Sequence, residues 1–299
     1  MYEQFYGLSR RPFSLVPDPD FLFLGKNHAV ALAMLEYGVQ GQAALSLVTG
    51  EVGSGKTTLI RYLLRTMDKH FTVGVITNTH RSFGNLLTWV LTAFGMNPGG
   101  HDKATMYRQF VDFVAQEHVS GRRVVLIVDE AQNMDVETLE ELRLLSNVNV
   151  GDELLVQLML VGQPELADTL RRPELSQFAQ RISVEHHIHA LDFASTRSYI
   201  EHRLKVAGAT EDVFDRYACA TVYYYSRGIP RAVNNICDMA LVYGYAEETR
   251  PITCQIVLEV VRTKPLIRDL AERRARTEED ERLRQMVKII KGIDIALVG

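Results

Sequence analysis

The sequence has little cysteine, and its cysteines are far apart. Only three occur in 299 residues, Cys219, Cys237 and Cys254. An odd number without short spacing forms neither a disulfide framework nor a zinc-binding pattern. We therefore expect a protein of a reducing cytoplasm.

Long apolar runs and an excess of one charge are missing as well. No stretch approaches the roughly 18 apolar residues of a membrane span, and the N-terminus lacks a signal-peptide layout, so we expect a soluble protein. Lysine and arginine number 33 against 37 aspartates and glutamates, a formal net charge of −4. This balance gives no general attraction to nucleic acid or anionic lipid. With 46% hydrophobic and 23% charged residues, disordered and fibrous classes are excluded.

The chain does contain short apolar segments that alternate with helical spacing. Five segments have strand character, and they lie at 43–49, 72–77, 124–128, 154–161 and 182–188. Uniformly apolar strands separated by helices are typical of a parallel sheet covered on both faces. After His189 only helical spacing follows, which predicts a small all-helical second domain. Before the first strand, Pro12, Pro17 and Pro19 predict an extended segment.

A glycine-rich loop lies between the first predicted strand and a predicted helix. Its residues fit the phosphate-binding loop (Walker A), Gly50-Glu51-Val52-Gly53-Ser54-Gly55-Lys56-Thr57. Glycines let consecutive main-chain N–H groups turn toward one phosphate, and the helix dipole adds to the attraction. Lys56 would neutralise the β- and γ-phosphates, Thr57 would bind Mg²⁺, and Thr58 completes the expected nucleotide-binding set. The alternative is a glycine-rich turn that binds no ligand. Such a turn does not need a strand before it and a helix after it.

An acidic pair (Walker B) follows the third predicted strand. Asp129 and Glu130 come directly after Val124–Val128, where parallel sheets bind ligands. Asp129 would hold Mg²⁺, and Glu130 would polarise a water aimed at the γ-phosphate. The alternative is the start of an ordinary loop. Because a water-activating acid would waste ATP in a small-molecule kinase, the pair favours hydrolysis.

The chain resembles the AAA+ ATPases of the general secretion pathway protein A (ExeA-like) family from its first residue to about Val261. The resemblance is carried by the N-terminal Met1–Leu8, the phosphate loop, Asp129–Gln132, Leu142–Asn147, Val161–Leu166 and Gly228–Arg231. The chain is more similar to short relatives without a membrane segment, which occur in pilus-assembly and exosortase-linked polysaccharide systems.

The resemblance implies a P-loop AAA+ fold of the α/β class, with a five-stranded parallel sheet. The nucleotide-binding domain would cover 1–190, and its first 42 residues would lie on the adenine side or at a subunit interface. A helical lid would cover 191–262 and a charged helical tail 263–299. The tail either docks a partner or packs back on the lid.

The resemblance also assigns roles to single polar residues. Gln163 would be the sensor that contacts the γ-phosphate or its water, and Arg181 an arginine finger for the neighbouring subunit. Their alternatives are a turn residue before a proline and a solvated arginine at a helix end. Arg231 would be a second sensor, since a guanidinium at a helix N-terminus is explained by a nearby anion. Asn78 would restrain Glu130.

The histidines at 186, 187 and 189 look like a metal cluster, but strand alternation would place His186 and His187 on opposite faces. We do not expect a metal there.

The expected function is Mg²⁺-dependent ATP hydrolysis that powers or regulates assembly of a bacterial envelope secretion, pilus or polysaccharide-export machine. ATP and Mg²⁺ would be the cofactors. The partners would be further copies of the chain and a protein of that machine, through which alone it would reach the inner membrane; nucleic acid is not an expected partner. Two alternatives stay open: a DNA-associated helper ATPase and a nucleotide-gated scaffold with little turnover.

Overall fold

The computed structural model describes residues 1–77, 85–100, 102–150, 153–264 and 277–296. Within these ranges the strands are β1 (Leu45–Gly50), β2 (Phe71–Ile76), β3 (Arg123–Val128), β4 (Asn149–Val150), β5 (Glu153–Leu154), β6 (Val156–Gly162) and β7 (Ile182–Ile188). The helices are α1 (Tyr2–Phe5), α2 (Lys26–Gln40), α3 (Lys56–Thr66), α4 (Leu86–Ala93), α5 (Lys103–Val119), α6 (Val136–Leu145), α7 (Pro164–Leu170), α8 (Ser176–Ala179), α9 (Phe193–Val206), α10 (Arg216–Ser226), α11 (Pro230–Ala246), α12 (Cys254–Thr263) and α13 (Glu278–Lys291).

Five strands form one parallel sheet in the order β2-β3-β6-β1-β7. The expected five-stranded parallel sheet is confirmed. From Val124 to Val128 strand β3 is apolar because it is covered on both faces, and none of these residues is more than 1% exposed. The antiparallel pair β4–β5 was not predicted, since strands of two residues carry no pattern.

Aspartate caps set the starts of several helices. The side chains of Asp102, Asp192 and Asp215 accept hydrogen bonds from main-chain N–H groups three residues later, at 2.6–2.7 Å. Helix α5 therefore begins before its first buried apolar residue. Helix α10 begins after Phe214, which instead pairs with Ile252 in a short parallel bridge.

Tertiary contacts divide the chain into two compact units. The sheet unit contains Lys26–Glu51 and Leu59–Ile188, and the helical unit contains Met1–Gly25, Val52–Thr58 and His189–Gly299. In this division the N-terminal segment and residues 52–58 group with the helices.

Aromatic side chains of the N-terminal segment are buried in the core of the helical unit. They are Tyr2, Tyr6, Phe13 and Phe21. Arg203 of α9 holds this segment: its Nε donates to the Pro12 carbonyl at 2.5 Å, and its guanidinium lies 4.6 Å from the Phe21 ring centroid. The burial of large aromatic surface explains why residues 1–25 pack on the helices.

The described part of the tail also packs on the helical unit. Leu283 and Val287 of α13 are buried in its core, and Asp280 forms a buried ion pair with Arg227. The structure therefore supports packing on the helices for residues 277–296, while residues 265–276 and 297–299 lie outside the described ranges. None of the helices in the described ranges has the length and apolar character that crossing a bilayer requires.

A paired carboxylate closes the turn after α13. The guanidinium of Arg284 donates two hydrogen bonds to Asp294, at 2.7 and 2.8 Å, and holds the pKa of that carboxyl well below its usual range. A depressed native-state pKa gives stability that is present above the unfolded pKa of about 3.9 and is lost as the pH falls through the native value.

We therefore expect Asp294→Asn to lower the free energy of unfolding at pH 7 by about 1.5–3 kcal/mol, the contribution of a hydrogen-bonded charge. The loss should shrink as the pH falls from about 5 to 2, because the unfolded chain then gains a proton at Asp294 that the native pair excludes. Urea unfolding at several pH values measures this. Glu278→Gln, at an exposed ion pair in α13, is the control and should change the free energy of unfolding little. An Asp294→Asn deficit that is independent of pH would contradict the assignment.

Candidate active site

The parallel direction of the strands places three predicted site residues at one edge of the sheet. In the sheet unit, Val128 of β3 pairs with Leu160 of β6, and Thr49 of β1 pairs with Gly162. Gly50, Asp129 and Gln163 therefore leave their strands at the same carboxyl edge. Ligands of open α/β sheets bind at this edge.

Asp129 and Glu130 form a tight turn directly after β3. The N–H of Asp129 donates to the Ile76 carbonyl at 2.8 Å, and Oδ1 of its buried carboxylate accepts the N–H of Glu130 at 2.9 Å. Glu130 has φ +56°, in the left-handed region. For a residue with a side chain this conformation costs about 1 kcal/mol or more, and such strain concentrates at functional sites.

The side chain of Gln132 joins this turn to the end of β6. Its Nε2 donates to Oε2 of Glu130 at 2.7 Å, and its Oε1 accepts the main-chain N–H of Gln163 at 3.0 Å. The strand end is a glycine because a Cβ at Gly162 would lie 2.8 Å from the Gln132 Oε1. In the sequence, Gln132 stands out only as the last residue of the Asp129–Gln132 motif, an amide two residues after Glu130.

The phosphate loop, Gly50–Thr57, is shaped by two glycines in the left-handed region. Gly53 has φ +81° and Gly55 has φ +99°. Ser54 and Lys56 are buried, whereas Val52 is 52% exposed. Helix α3 begins at Lys56, so Thr57 and Thr58 lie in its first turn, where the helix dipole favours an anion. Since β1 ends at Gly50 and α3 begins at Lys56, the loop connects a strand to a helix.

Arg231 contacts the loop through its main chain, within the helical unit. Its N–H donates to the Gly53 carbonyl at 3.1 Å, and a Cβ at Gly53 would lie 2.5 Å from the Arg231 Cβ. The corner before Arg231 is fixed by Gly228, where a Cβ would lie 1.8 Å from the Leu191 carbonyl oxygen. The start of α11 is therefore held against the loop by close backbone contacts.

Arg181 lies at the opposite edge of the sheet. It precedes β7, whose first residue Ile182 pairs with Leu45 and whose last residue Ile188 pairs with Gly50. A parallel strand of this length separates Arg181 from the carboxyl edge by about 20 Å. Its guanidinium donates to the Ser146 hydroxyl at 2.8 Å. Within one chain, Arg181 is not brought together with Asp129 and Gln163.

The candidate metal ligands form two sets, the histidines at 186, 187 and 189 and the pair Thr57 and Asp129. Among the histidines, His187 has its Nδ1 2.9 Å from the Thr49 hydroxyl. No group of three metal-ligating His, Cys, Asp or Glu side chains occurs within the described ranges. For Mg²⁺, the carboxylate of Asp129 and the hydroxyl of Thr57 are the hard oxygen donors that this ion prefers. Asn78, expected to restrain Glu130, lies outside the described residues.

Comparison with known proteins agrees with this geometry. Residues 39–170 match a family model described as an AAA domain. General secretion pathway protein A of Aeromonas hydrophila is 38% identical over 257 residues, which cover 84% of this chain and 46% of that protein. The chain is an AAA+ ATPase similar to general secretion pathway protein A. It spans about half the length of that relative.

Solved AAA+ structures show the same fold. The Aeropyrum pernix ORC2 protein, in its ADPNP and ADP complexes, superposes with a TM-score of 0.65 at 19% identity, over 85% of this chain and 71% of that one. Cdc6p of Pyrobaculum aerophilum gives 0.65 at 14% identity, over 84% and 70%. The predicted P-loop AAA+ fold is confirmed.

The close contact between Arg231 and the phosphate loop of this AAA+ ATPase can be tested by substitution of Gly53. Gly53→Ala adds a Cβ that meets the backbone-fixed Cβ of Arg231, so the loop must shift. We expect ATP binding, measured by calorimetry with Mg²⁺, to weaken at least about tenfold, which corresponds to about 1.4 kcal/mol.

Gly95→Ala is the matched control, because Gly95 has a similar φ of +73° but nothing within 4 Å of an added methyl group. Both variants incur a left-handed backbone cost of about 1–2 kcal/mol, and only Gly53→Ala should lose ATP affinity. Equal ATP affinities in the two variants would show that the contact does not shape the loop.

Proposed function

We propose that this chain hydrolyses ATP with Mg²⁺ and that the cycle serves assembly of a bacterial envelope machine. The observation that carries the hydrolytic part is the linked arrangement of Glu130, Gln132 and Gln163 at the carboxyl edge of the sheet. An acid held at the end of β3, next to β6, suits activation of a water beside a terminal phosphate.

The proposed roles follow from the chemistry of each group. Main-chain N–H groups of Gly53–Thr58 and the Lys56 ammonium bind the β- and γ-phosphates. Thr57 and Asp129 hold Mg²⁺, which neutralises charge on the phosphate oxygens when bound. Glu130 orients the attacking water, and Gln163 contacts the γ-phosphate or that water. Arg231, whose main-chain N–H contacts Gly53, supplies a guanidinium, a strong donor to phosphate.

The position of Arg181 supports action between subunits. It lies about 20 Å from the carboxyl edge of its own sheet, beyond the reach of an arginine side chain. An arginine finger at that place can act only on the nucleotide of a neighbouring copy. We therefore propose a homo-oligomer in which each chain completes the site of the next.

The cellular role rests on the relative named for the general secretion pathway, with 38% identity over 84% of this chain. We propose that the chain acts in the cytoplasm and meets an envelope secretion, pilus or polysaccharide-export protein at the inner membrane. The ORC and Cdc6 structures, below 20% identity, support the fold and not a DNA-binding role.

Replacing the proposed water-orienting acid separates binding from hydrolysis. Glu130→Gln should bind ATP as the wild type does and lose turnover by about 10²–10⁴-fold, the usual contribution of a general base. Calorimetry and phosphate release measure the two properties. Glu137→Gln, an acid in the first turn of α6, is the control and should keep wild-type turnover. Normal hydrolysis by Glu130→Gln would remove Glu130 from the mechanism.

Because the proposed arginine finger, Arg181, acts between subunits, we expect ATP hydrolysis to depend on protein concentration. Wild-type phosphate release per chain should rise with concentration, and Arg181→Ala should bind ATP normally but remain at the dilute rate, about 10³-fold or more below the assembled wild type. Arg171→Ala, at an exposed ion pair, is the control. Concentration-independent turnover in the wild type would contradict the proposal. Absence of turnover at every concentration would instead support a nucleotide-gated scaffold.

A further inference from the structure

The backbone conformation of Glu130 makes the direction of its side chain depend on tertiary contacts. Its left-handed conformation, φ +56° and ψ +34°, is the turn between β3 and the 3₁₀ helix Ala131–Asn133. Neither a strand nor a helix therefore fixes the direction of the carboxylate. The Asp129 carboxylate accepts the Glu130 N–H at 2.9 Å, a contact that fixes the main chain of Glu130.

Gln132 supplies a support with a defined orientation. Its amide donates to the Glu130 carboxylate at 2.7 Å and accepts the Gln163 N–H at 3.0 Å. If the amide were turned over, its oxygen would face the carboxylate and its NH₂ group would face an N–H donor. Both contacts would then be repulsive, so the two partners together determine which way the amide points.

The end of β6 is built to admit this amide. The closest approach is at Gly162, where a Cβ would lie 2.8 Å from the Gln132 Oε1 and 2.8 Å from the Leu166 Cδ2. Leu166 of α7 is fully buried, so the position of the strand end is set by the core. A rigid main-chain donor at Gln163 therefore anchors the side chain that holds Glu130.

We propose that Gln132 is a positioning residue that holds the Glu130 carboxylate in a fixed place relative to the end of β6. Two hydrogen bonds then tie the water-orienting acid to Gln163, the residue assigned to the γ-phosphate. Gln132 acts through Glu130 and touches no substrate. This inference rests on the proposed function of Glu130.

Two substitutions separate the halves of the bridge. Gln132→Met keeps the length of the side chain and removes both hydrogen bonds. Gln132→Glu keeps an acceptor for the Gln163 N–H but replaces the donor to Glu130 by a second negative charge. We expect both variants to bind ATP as the wild type does, with kcat lower by about 10–100-fold, the usual effect of misplacing a catalytic group by about 1 Å.

Gln132→Glu should lose at least as much kcat as Gln132→Met, because kcat depends on the contact with the Glu130 carboxylate and not on the contact with the Gln163 N–H. Gln116→Met, on the exposed face of α5, is the control and should keep wild-type values. Calorimetry with ATP and thermal unfolding of the same samples report whether the site and the fold are intact. In the Glu130→Gln background, Gln132→Met should not lower kcat further, since the effects of two residues that act through the same group are not additive.

Three results would overturn the inference: wild-type kcat in Gln132→Met, loss of ATP affinity in parallel with kcat, or a full additional loss in the Glu130→Gln background. These results are distinct from failure of the proposed function. If Glu130→Gln is inactive while Gln132→Met is normal, only the role of Gln132 is wrong. If Glu130→Gln hydrolyses normally, the assignment of Glu130 itself is wrong.

Discussion

The common direction of the five strands is the constraint on which the proposed chemistry depends. Because the sheet is parallel, β1, β3 and β6 end at one edge, and the phosphate loop, the acidic pair and Gln163 follow from those ends. The same constraint places Arg181 at the other edge, since Arg181 precedes β7 instead of following it. The topology thus separates the site residues that lie together at the carboxyl edge from Arg181 at the opposite edge.

Close backbone contacts organise the helical unit around the phosphate loop. The carbonyl of Gly53 accepts the N–H of Arg231, and the corner before Arg231 is fixed where Gly228 meets Leu191. Arg227, just before that corner, forms a buried ion pair with Asp280 of α13. Buried charges are stable only when paired, so the tail helix is part of this unit's structure. The N-terminal aromatics belong to the same core.

Much of this protein follows from local pattern. The apolar strand of Val124–Val128 predicts its own burial, and the glycines of the loop predict left-handed turns that only glycine adopts without strain. Helix starts depend less on apolar spacing, as at α9 and α10, because a single aspartate cap fixes the first turn. Residues 1–42 were expected on the adenine side of the nucleotide-binding domain or at a subunit interface, and aromatic side chains of residues 1–25 pack in the core of the helical unit. Aromatic content alone says that such a segment is buried, and it does not say against which surface.

The sequence by itself determined the strand–loop–helix of the phosphate site, the acidic pair after β3 and the α/β class, because each depends on residues adjacent in the chain. Tertiary structure alone decided that Gln132 bridges Glu130 to Gln163, and that Arg231 lies against Gly53. The first contact joins residues 31 positions apart, and the second joins residues much farther apart in the chain. A hydrogen bond between distant residues depends on strand order and on the space that a neighbouring glycine leaves. The local spacing of residues predicts neither.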